Sequence, residues 1–269
     1  MDPESVARGT RIPHGGSDDP DLLDFSANTN PLVPDGAERV YREAFDDARS
    51  YPPDDYPSYR EAAAEYVDCA RADVVATPGG LAAIRLAVEV TVERDDTVLV
   101  PYPSFGEYAR EVRLQGARVE AVPHDELLDA DPADHALAVV CNPNNPTGDA
   151  YAPDALAAFA ERCRSAGTVL LVDEAFLGFT DRPSLAGRDG VVVARSLTKL
   201  FGLPGLRAGF AVATGDLRDR LDAAAITWGL GGPAAAVGAH CMADAEFVAE
   251  TRRRVRRERE RLRAAFADD

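Results

Sequence analysis

Lysine is almost absent from this chain of 269 residues, and the one lysine stands where an amine could do chemistry. Of the 29 Lys and Arg residues, only Lys199 is a lysine. Arginine can replace lysine for solubility, but its guanidinium stays protonated and is not a practical amine nucleophile. Lys199, within residues 195–207, is therefore a candidate to form a Schiff base with a carbonyl compound. A general bias against lysine that spared one residue by chance explains the count equally well.

Two polar segments directly follow apolar runs that we interpret as strands. Asp173 comes after residues 169–172, and the Asn- and Pro-rich segment 141–148 comes after residues 137–140. A carboxylate at Asp173 could keep the ring nitrogen of a cofactor protonated, because a negative charge favours the cationic form. Asn145 could donate a hydrogen bond to a ring oxygen of that cofactor. Helix capping by the aspartate and ordinary turn chemistry are the competing explanations.

A glycine pair before a helical stretch indicates a phosphate site. Gly79 and Gly80 precede the helical composition of residues 81–92, and backbone amides at a helix N-terminus suit a phosphate dianion. Ser196 and Arg207, on either side of the lysine, could add a hydroxyl and a guanidinium to the same phosphate. Two glycines before a helix are weak evidence when taken alone.

The elements that must position these residues alternate along the chain. Short β-branched runs occur at residues 98–100, 137–140, 169–172 and 191–193. Near-continuous apolar runs are typical of strands that are buried on both faces. Ala-rich stretches with helical composition lie between them, so we expect a mostly parallel sheet with helices on both faces. Residues 1–50 have little periodicity, and we interpret them as an arm and short connections.

Residues 244–266 are predicted to form one long helix at the end of the sequence. Val248, Val255, Leu262 and Phe266 recur along it at near-heptad spacing. Its arginine run could suggest nucleic-acid binding, but interleaved glutamates favour a solvated helix face.

The overall charge of the chain indicates which classes of partner it does not bind. A formal charge of −17 and a pI near 4.6 argue against binding nucleic acid or an anionic membrane. An Asp-rich, Lys-poor surface suits solvation in high salt, so we expect a halophilic source. The four cysteines have no CxxC spacing and are interpreted as reduced residues that bind no metal. With no leader and no membrane-spanning run in the sequence, we expect a cytoplasmic protein.

Together these segments resemble the fold-type I pyridoxal-phosphate (PLP) enzymes of the aminotransferase superfamily. The matching residues, in chain order, are Tyr51, Pro52, Gly79, Gly80, Phe105, 145–148, 173–175, 196–199 and Arg207. The resemblance implies an α/β fold with a mostly parallel seven-stranded sheet between helices, and an incomplete small domain. It divides the chain into an N-terminal arm at 1–47, a large PLP-binding domain at 48–235 and the start of a C-terminal small domain at 236–269.

The resemblance also gives each residue a role. Lys199 would carry the covalent link to PLP, Asp173 would pair with the ring nitrogen, and Asn145 would contact the ring oxygen. Phe105, otherwise an ordinary core aromatic, would stack on the ring. The residues around the PLP phosphate would be Gly79, Gly80, Leu81, Ser196, Arg207 and, from the neighbouring subunit, Tyr51. That last contact implies a homodimer with shared active sites.

Two families within the superfamily compete, the L-threonine-O-3-phosphate decarboxylases of cobalamin biosynthesis and the histidinol-phosphate aminotransferases. Residues 14–16 resemble the decarboxylase HGG segment, and residues 23–31 resemble its LDFSANxNP segment. Phe176 stands where the aminotransferases usually carry a tyrosine. These features favour decarboxylation of threonine phosphate to an aminopropanol phosphate, with transamination as the alternative. The substrate, a small phosphorylated amino acid, would then be contacted by His14, Gly15 and Asn28.

The sequence departs from the decarboxylase pattern in two places. The helix usual between the two N-terminal segments is replaced by residues 17–22, and the small domain with its substrate-gripping arginine has no counterpart after Asp269. A third expectation is therefore a truncated PLP-binding protein with little catalysis. A Rossmann-like domain without PLP would require the whole ordered set of motifs to be accidental.

Overall fold

The computed structural model describes residues 1–13, 19, 21–22 and 26–267. Its strands form one sheet in the order β1-β7-β6-β5-β4-β2-β3. They are β1 Val74–Thr77, β2 Thr97–Tyr102, β3 Arg118–Pro123, β4 Leu137–Cys141, β5 Val169–Asp173, β6 Val191–Ser196 and β7 Gly209–Val212. Strand β7 runs antiparallel to both β1 and β6, and the other neighbours pair in parallel. The predicted mostly parallel, seven-stranded sheet is therefore confirmed.

Helices connect the strands and cover the sheet. They are α1 Pro3–Arg8, α2 Ala37–Glu43, α3 Pro57–Val67, α4 Gly80–Thr91, α5 Glu107–Leu114, α6 Pro153–Ala166, α7 Gly215–Ala224, α8 Gly232–Ala243 and α9 Ala245–Ala265. Helices α1 and α2 correct the expectation that the first fifty residues are only an arm with connections. Each has fewer than eight residues, which is too short for a hydrophobic period to be read from the sequence.

The two faces of the sheet carry separate hydrophobic cores, because successive residues of a strand point to opposite faces. On β5, Leu170 and Val172 belong to one core, and Leu171 belongs to the other. All three side chains are fully buried. Two-sided burial explains why β4, β5 and β6 appear in the sequence as continuous apolar runs.

The predicted C-terminal helix is confirmed as α9. Asp244 caps it by accepting a hydrogen bond from the Phe247 amide at 2.9 Å. Val248 is buried, whereas Leu262 is 47% exposed and Phe266 is 68% exposed. The near-heptad stripe is therefore packed at its start and open to solvent at its end.

None of the helices in the described residues is both long and apolar enough to cross a membrane.

Candidate active site

Nine of the thirteen predicted site residues line one cleft at the carboxyl ends of β4, β5 and β6, where open α/β sheets bind ligands. The cleft has a volume of about 590 Å³. The predicted residues that line it are Asn28, Gly80, Leu81, Phe105, Asn145, Asp173, Ser196, Lys199 and Arg207. Residues from loops far apart in the sequence are thus brought together.

Lys199 lies on the loop between β6 and β7 and points into the cleft. Its Nζ donates a hydrogen bond to the Ala27 carbonyl oxygen at 2.7 Å and lies 5.7 Å from the centroid of the Phe176 ring. Burial lowers the pKa of the Lys199 amine; the Asp173 carboxylate opposes this shift and the Arg207 guanidinium adds to it. A lowered pKa increases the fraction of neutral amine, the nucleophilic form.

Asp173 is the last residue of β5, and its side chain is almost fully buried. Its Oδ2 accepts a hydrogen bond from the Tyr108 hydroxyl at 2.6 Å, and its Oδ1 accepts one from the Ala175 amide at 3.0 Å. Burial raises the pKa of the Asp173 carboxyl, and the two hydrogen bonds oppose that rise. The carboxylate is therefore oriented before any ligand arrives.

Tyr108 was not predicted from the sequence. Its ring meets the Phe105 ring edge to face, with the centroids 5.6 Å apart and the planes at 82°. Phe105 precedes the N-cap of α5 and Tyr108 is its second residue, so no helical spacing in the sequence indicated this contact.

Glu174, the neighbour of Asp173, has a structural role. It is 1% exposed and accepts hydrogen bonds from the Ser184 hydroxyl and the Leu185 amide. Arg195 lies 3.6 Å from its Oε2. Of the two adjacent carboxylates, only Asp173 lines the cleft.

The loop after β4 contains three asparagines with different environments. Asn142 accepts a hydrogen bond from the Tyr151 amide, and Asn144 donates to the Pro103 carbonyl and to the Thr147 hydroxyl. Both are 3% exposed, whereas Asn145 is less buried and lines the cleft. The loop is thus held by its neighbours while Asn145 faces the ligand space.

The glycine turn before α4 approaches the lysine loop very closely. Gly79 has φ +97°, and a Cβ on it would lie 2.7 Å from Nη2 of Arg207. A Cβ on Gly80 would lie 2.9 Å from the Ser196 Cβ. The first amides of α4, the Ser196 hydroxyl and the Arg207 guanidinium therefore share one corner of the cleft. Amides, a hydroxyl and a guanidinium fit a phosphate dianion.

Gly209 is a second close contact that sequence reasoning missed. A Cβ there would lie 2.5 Å from the carbonyl carbon of Gly79, 2.6 Å from the Gly80 nitrogen and 2.7 Å from the Arg195 oxygen. All three are backbone atoms, so only a glycine at the start of β7 lets the glycine turn lie this close. A lone glycine beginning a short strand gave no signal of this role.

Besides Gly79, three predicted residues are not among those that line the cleft. Tyr51 lies elsewhere, and His14 and Gly15 are outside the residues that the structure describes. Tyr51 is 76% exposed and stacks on Trp228, with ring centroids 4.3 Å apart. Tyr51 is predicted to contact the PLP phosphate of a neighbouring subunit. The structure contains a single chain, so this contact stays a prediction. His14 and Gly15 lie outside the described residues, so their predicted substrate contacts stay predictions as well.

A lysine after β6, a carboxylate ending β5, an asparagine after β4 and a glycine turn opening α4 are arranged as the resemblance to fold-type I PLP enzymes predicts. The sequence model of the aminotransferase class I and II family matches residues 20–269, and the chain belongs to this family. The predicted class, a PLP-dependent enzyme of the aminotransferase superfamily, is therefore confirmed, with PLP as its cofactor.

Relatives in both competing groups resemble the chain. A threonine-phosphate decarboxylase of a Sinorhizobium species is 36% identical over 226 residues, covering 80% of this chain. This chain spans 63% of the length of that relative. A histidinol-phosphate aminotransferase of Archaeoglobus fulgidus is 30% identical over 253 residues, covering 91% of this chain and 72% of the relative.

Solved structures of the same two groups share the fold. L-threonine-O-3-phosphate decarboxylase from Porphyromonas gingivalis has a TM-score of 0.74 and 25% identity, covering 83% of this chain and 73% of its own. Histidinol-phosphate aminotransferase from Sinorhizobium meliloti, in complex with pyridoxal-5'-phosphate, has a TM-score of 0.82 and 22% identity, covering 90% and 70%. The chain therefore resembles members of both groups and has the fold that they share.

Proposed function

We propose that this protein decarboxylates L-threonine O-3-phosphate to an aminopropanol phosphate, a reaction of cobalamin biosynthesis. The observation that carries the proposal is the convergence of the Lys199 amine, the Asp173 carboxylate and Asn145 on one cleft, beside a glycine turn suited to phosphate. The relative with 36% identity carries the name of this activity.

The described residues fit PLP by the chemistry of their groups. The first amides of α4, with Ser196 and Arg207, would hold the phosphate, and Phe105 would cover the ring. Asp173 would stand at the ring nitrogen and Asn145 at the ring oxygen. When bound, PLP supplies an electron sink for negative charge that develops at the substrate Cα.

The protein residues would then act on the substrate directly. Asn28, on the cleft wall, would help to orient the substrate so that the bond from Cα to the carboxylate can break. Carbon dioxide leaves with that bond, and Cα must take up one proton. The Lys199 Nζ is the group we assign to deliver it, since burial lowers its pKa and so eases proton transfer.

Phe176 supports decarboxylation over transamination. Its ring stands 5.7 Å from the Lys199 Nζ and has no hydroxyl that could bond to the cofactor. Transamination of histidinol phosphate or a related amino donor is the alternative, because the same residues would serve if the Cα–H bond were presented. A PLP-binding protein with little turnover is the third candidate.

The first experiment separates the two reactions. The protein with PLP is incubated with L-threonine O-3-phosphate, and separately with histidinol phosphate plus 2-oxoglutarate, while carbon dioxide and glutamate are followed. We expect carbon dioxide from threonine phosphate and little glutamate. Amino transfer without carbon dioxide release would contradict the decarboxylase, and PLP binding without either product would support the third candidate.

The second experiment tests the covalent link itself. Borohydride reduction of the PLP-loaded protein should leave a pyridoxyl group on Lys199, located by mass spectrometry of peptides. Lys199→Arg keeps the positive charge but not the amine, and it should carry no adduct. An unmodified Lys199 in the wild-type protein would contradict every form of the proposal.

A further inference from the structure

A second cavity opens next to the PLP cleft, on the side of Phe176. It has a volume of about 430 Å³ and shares Asn28, Thr29, Asn145 and Pro146 with the cleft. The far wall is formed by α9, which contributes Arg254 and Arg259. A ligand that reacts at Lys199 could therefore extend into this cavity without leaving the site.

These two arginines lack the acidic partners that five other arginines of α9 have, as does Arg263, which does not line the cavity. Arg252 and Arg256 pair with Asp181, Arg253 pairs with Glu250, and Arg257 and Arg261 pair with Glu258. Within residues 1–13, 19, 21–22 and 26–267, Arg254 and Arg259 have no carboxylate within ion-pair distance. Two cations without a carboxylate partner among these residues therefore line one cavity of a chain whose net charge is −17.

Arg254 is held in place by a neutral partner. Its Nη2 donates a hydrogen bond to Oδ1 of Asn30 at 2.6 Å. Asn30 is itself fixed, because its amide group donates to the Leu200 carbonyl at 2.8 Å. The Arg254 Nε is buried and has no acceptor among the described residues. The guanidinium is thus oriented while its charge is not neutralised, and one donor is left over.

We propose that Arg254 and Arg259 form an oxyanion subsite, which binds an anionic group of the substrate whose amine reacts at Lys199. A guanidinium presents parallel N–H groups that match a carboxylate or a phosphate monoester. A local cationic wall also offsets the repulsion between an acidic protein and an anionic substrate. The assignment of the anion to the substrate rests on the proposed function, because that chemistry places the reacting amine at Lys199, whereas anion binding at the two arginines does not depend on it.

The test measures anion binding without turnover. Borohydride-reduced, PLP-loaded protein is used, because PLP then fills the phosphate corner and the lysine can no longer react. Inorganic phosphate and acetate are titrated in parallel by calorimetry, for the wild type, Arg259→Gln and Arg257→Gln. Arg257 is the matched control, since it is exposed on the same helix and pairs with Glu258.

We expect Arg259→Gln to weaken anion binding roughly tenfold, the usual effect of removing a hydrogen bond to a charged group, while Arg257→Gln leaves it unchanged. A loss confined to phosphate assigns the subsite to the substrate phosphate, and a loss confined to acetate assigns it to the carboxylate. Wild-type protein that binds neither anion, or equal affinities in the two variants, would overturn the subsite. A missing pyridoxyl adduct would instead contradict the proposed function, so the two failures are distinguishable.

Discussion

Burial disfavours the charged form of Asp173, so the protonation of this carboxyl affects the stability of the folded chain. Burial raises the pKa of its carboxyl above the usual value of 3.8, so the folded chain binds a proton there more tightly than the unfolded chain does. Stability therefore falls as pH rises from 3.8 through the raised value, and at neutral pH the buried charge destabilises the cofactor-free protein. A partner cation at the ring nitrogen of PLP would relieve that cost.

Asp173→Asn should therefore stabilise the cofactor-free protein and weaken its response to PLP. The amide keeps an oxygen for the Ala175 N–H group and removes the buried charge. We expect the melting temperature without PLP to rise by a few degrees, and the further rise on adding PLP to shrink. Thermal unfolding with and without PLP measures both quantities.

Tyr108→Phe is the companion variant for that measurement. It deletes a hydrogen bond to the charged carboxylate and leaves the charge in place, so it should lower the melting temperature of the cofactor-free protein. If both variants moved it in the same direction, the assignment of a destabilising charge to Asp173 would be wrong.

Many residues of the candidate site could be predicted from the sequence one by one, because they directly follow apolar strands. Asp173 and Asn145 come directly after apolar runs, and the carboxyl ends of parallel strands meet at one edge of a sheet. Tyr108 and Arg254 could not be found in this way. Their positions depend on how α5 and α9 pack against the sheet, which no local pattern in the sequence specifies.

Among the elements, the contact of β7 with the glycine turn before α4 is the tightest near the cleft. Gly209→Ala would place a methyl group within 2.7 Å of three backbone atoms, none of which can move alone. Forced overpacking of this kind usually destabilises a protein by about 1–3 kcal/mol. Because the same turn is proposed to hold the phosphate, we expect PLP affinity to fall about tenfold or more.

Gly205→Ala is the matched control for that substitution. Gly205 lies on the same loop as Lys199, and a Cβ there would meet nothing within 4 Å. Melting temperature and PLP titration should be unchanged in this variant. Equal behaviour of Gly205→Ala and Gly209→Ala would show that the close contact does not shape the phosphate corner.

The strands that the sequence revealed, β2, β4, β5 and β6, each contain a run of at least three buried β-branched or aliphatic residues. Edge strand β3 was not identified, because four of its six residues are exposed and, in the described part of the sheet, it pairs with β2 alone. Strand β7 is buried throughout, but it has only four residues and begins with glycine, so it is too short to show a strand pattern in the sequence. Local patterns thus identified the centre of the sheet, while its margins depend on tertiary pairing.

At the scale of the whole molecule, the excess of acidic residues should make stability depend on salt. The chain has 46 Asp and Glu residues against 29 Lys and Arg residues. Raising monovalent salt from about 0.1 M to about 1 M shortens the Debye length from about 10 Å to about 3 Å and screens their repulsion. We expect the melting temperature to rise in both NaCl and KCl. A constant or falling value would contradict the expected halophilic character.

The homodimer that the family resemblance implies gives a prediction for Tyr51. Light scattering should yield twice the chain mass of 28.7 kDa, and Tyr51→Phe should keep that mass, since the ring can still stack on Trp228. PLP affinity should fall because the hydroxyl that would reach the neighbouring phosphate is lost. Tyr102→Phe, at another exposed tyrosine, should change neither quantity. A monomer with normal PLP affinity would remove the basis for shared active sites.

The single lysine has a practical consequence. Among these 269 residues the Nζ of Lys199 is the only side-chain primary amine, and the other primary amine of a chain with this sequence is its terminal α-amino group. An amine-directed acylating reagent can therefore add at most two labels per molecule, and a peptide digest tells them apart. Bound PLP should protect the Lys199 amine from acylation and leave the terminal amine reactive. The fraction of protein molecules that carry PLP can then be read from the intact mass, without a substrate, a chromophore or any turnover.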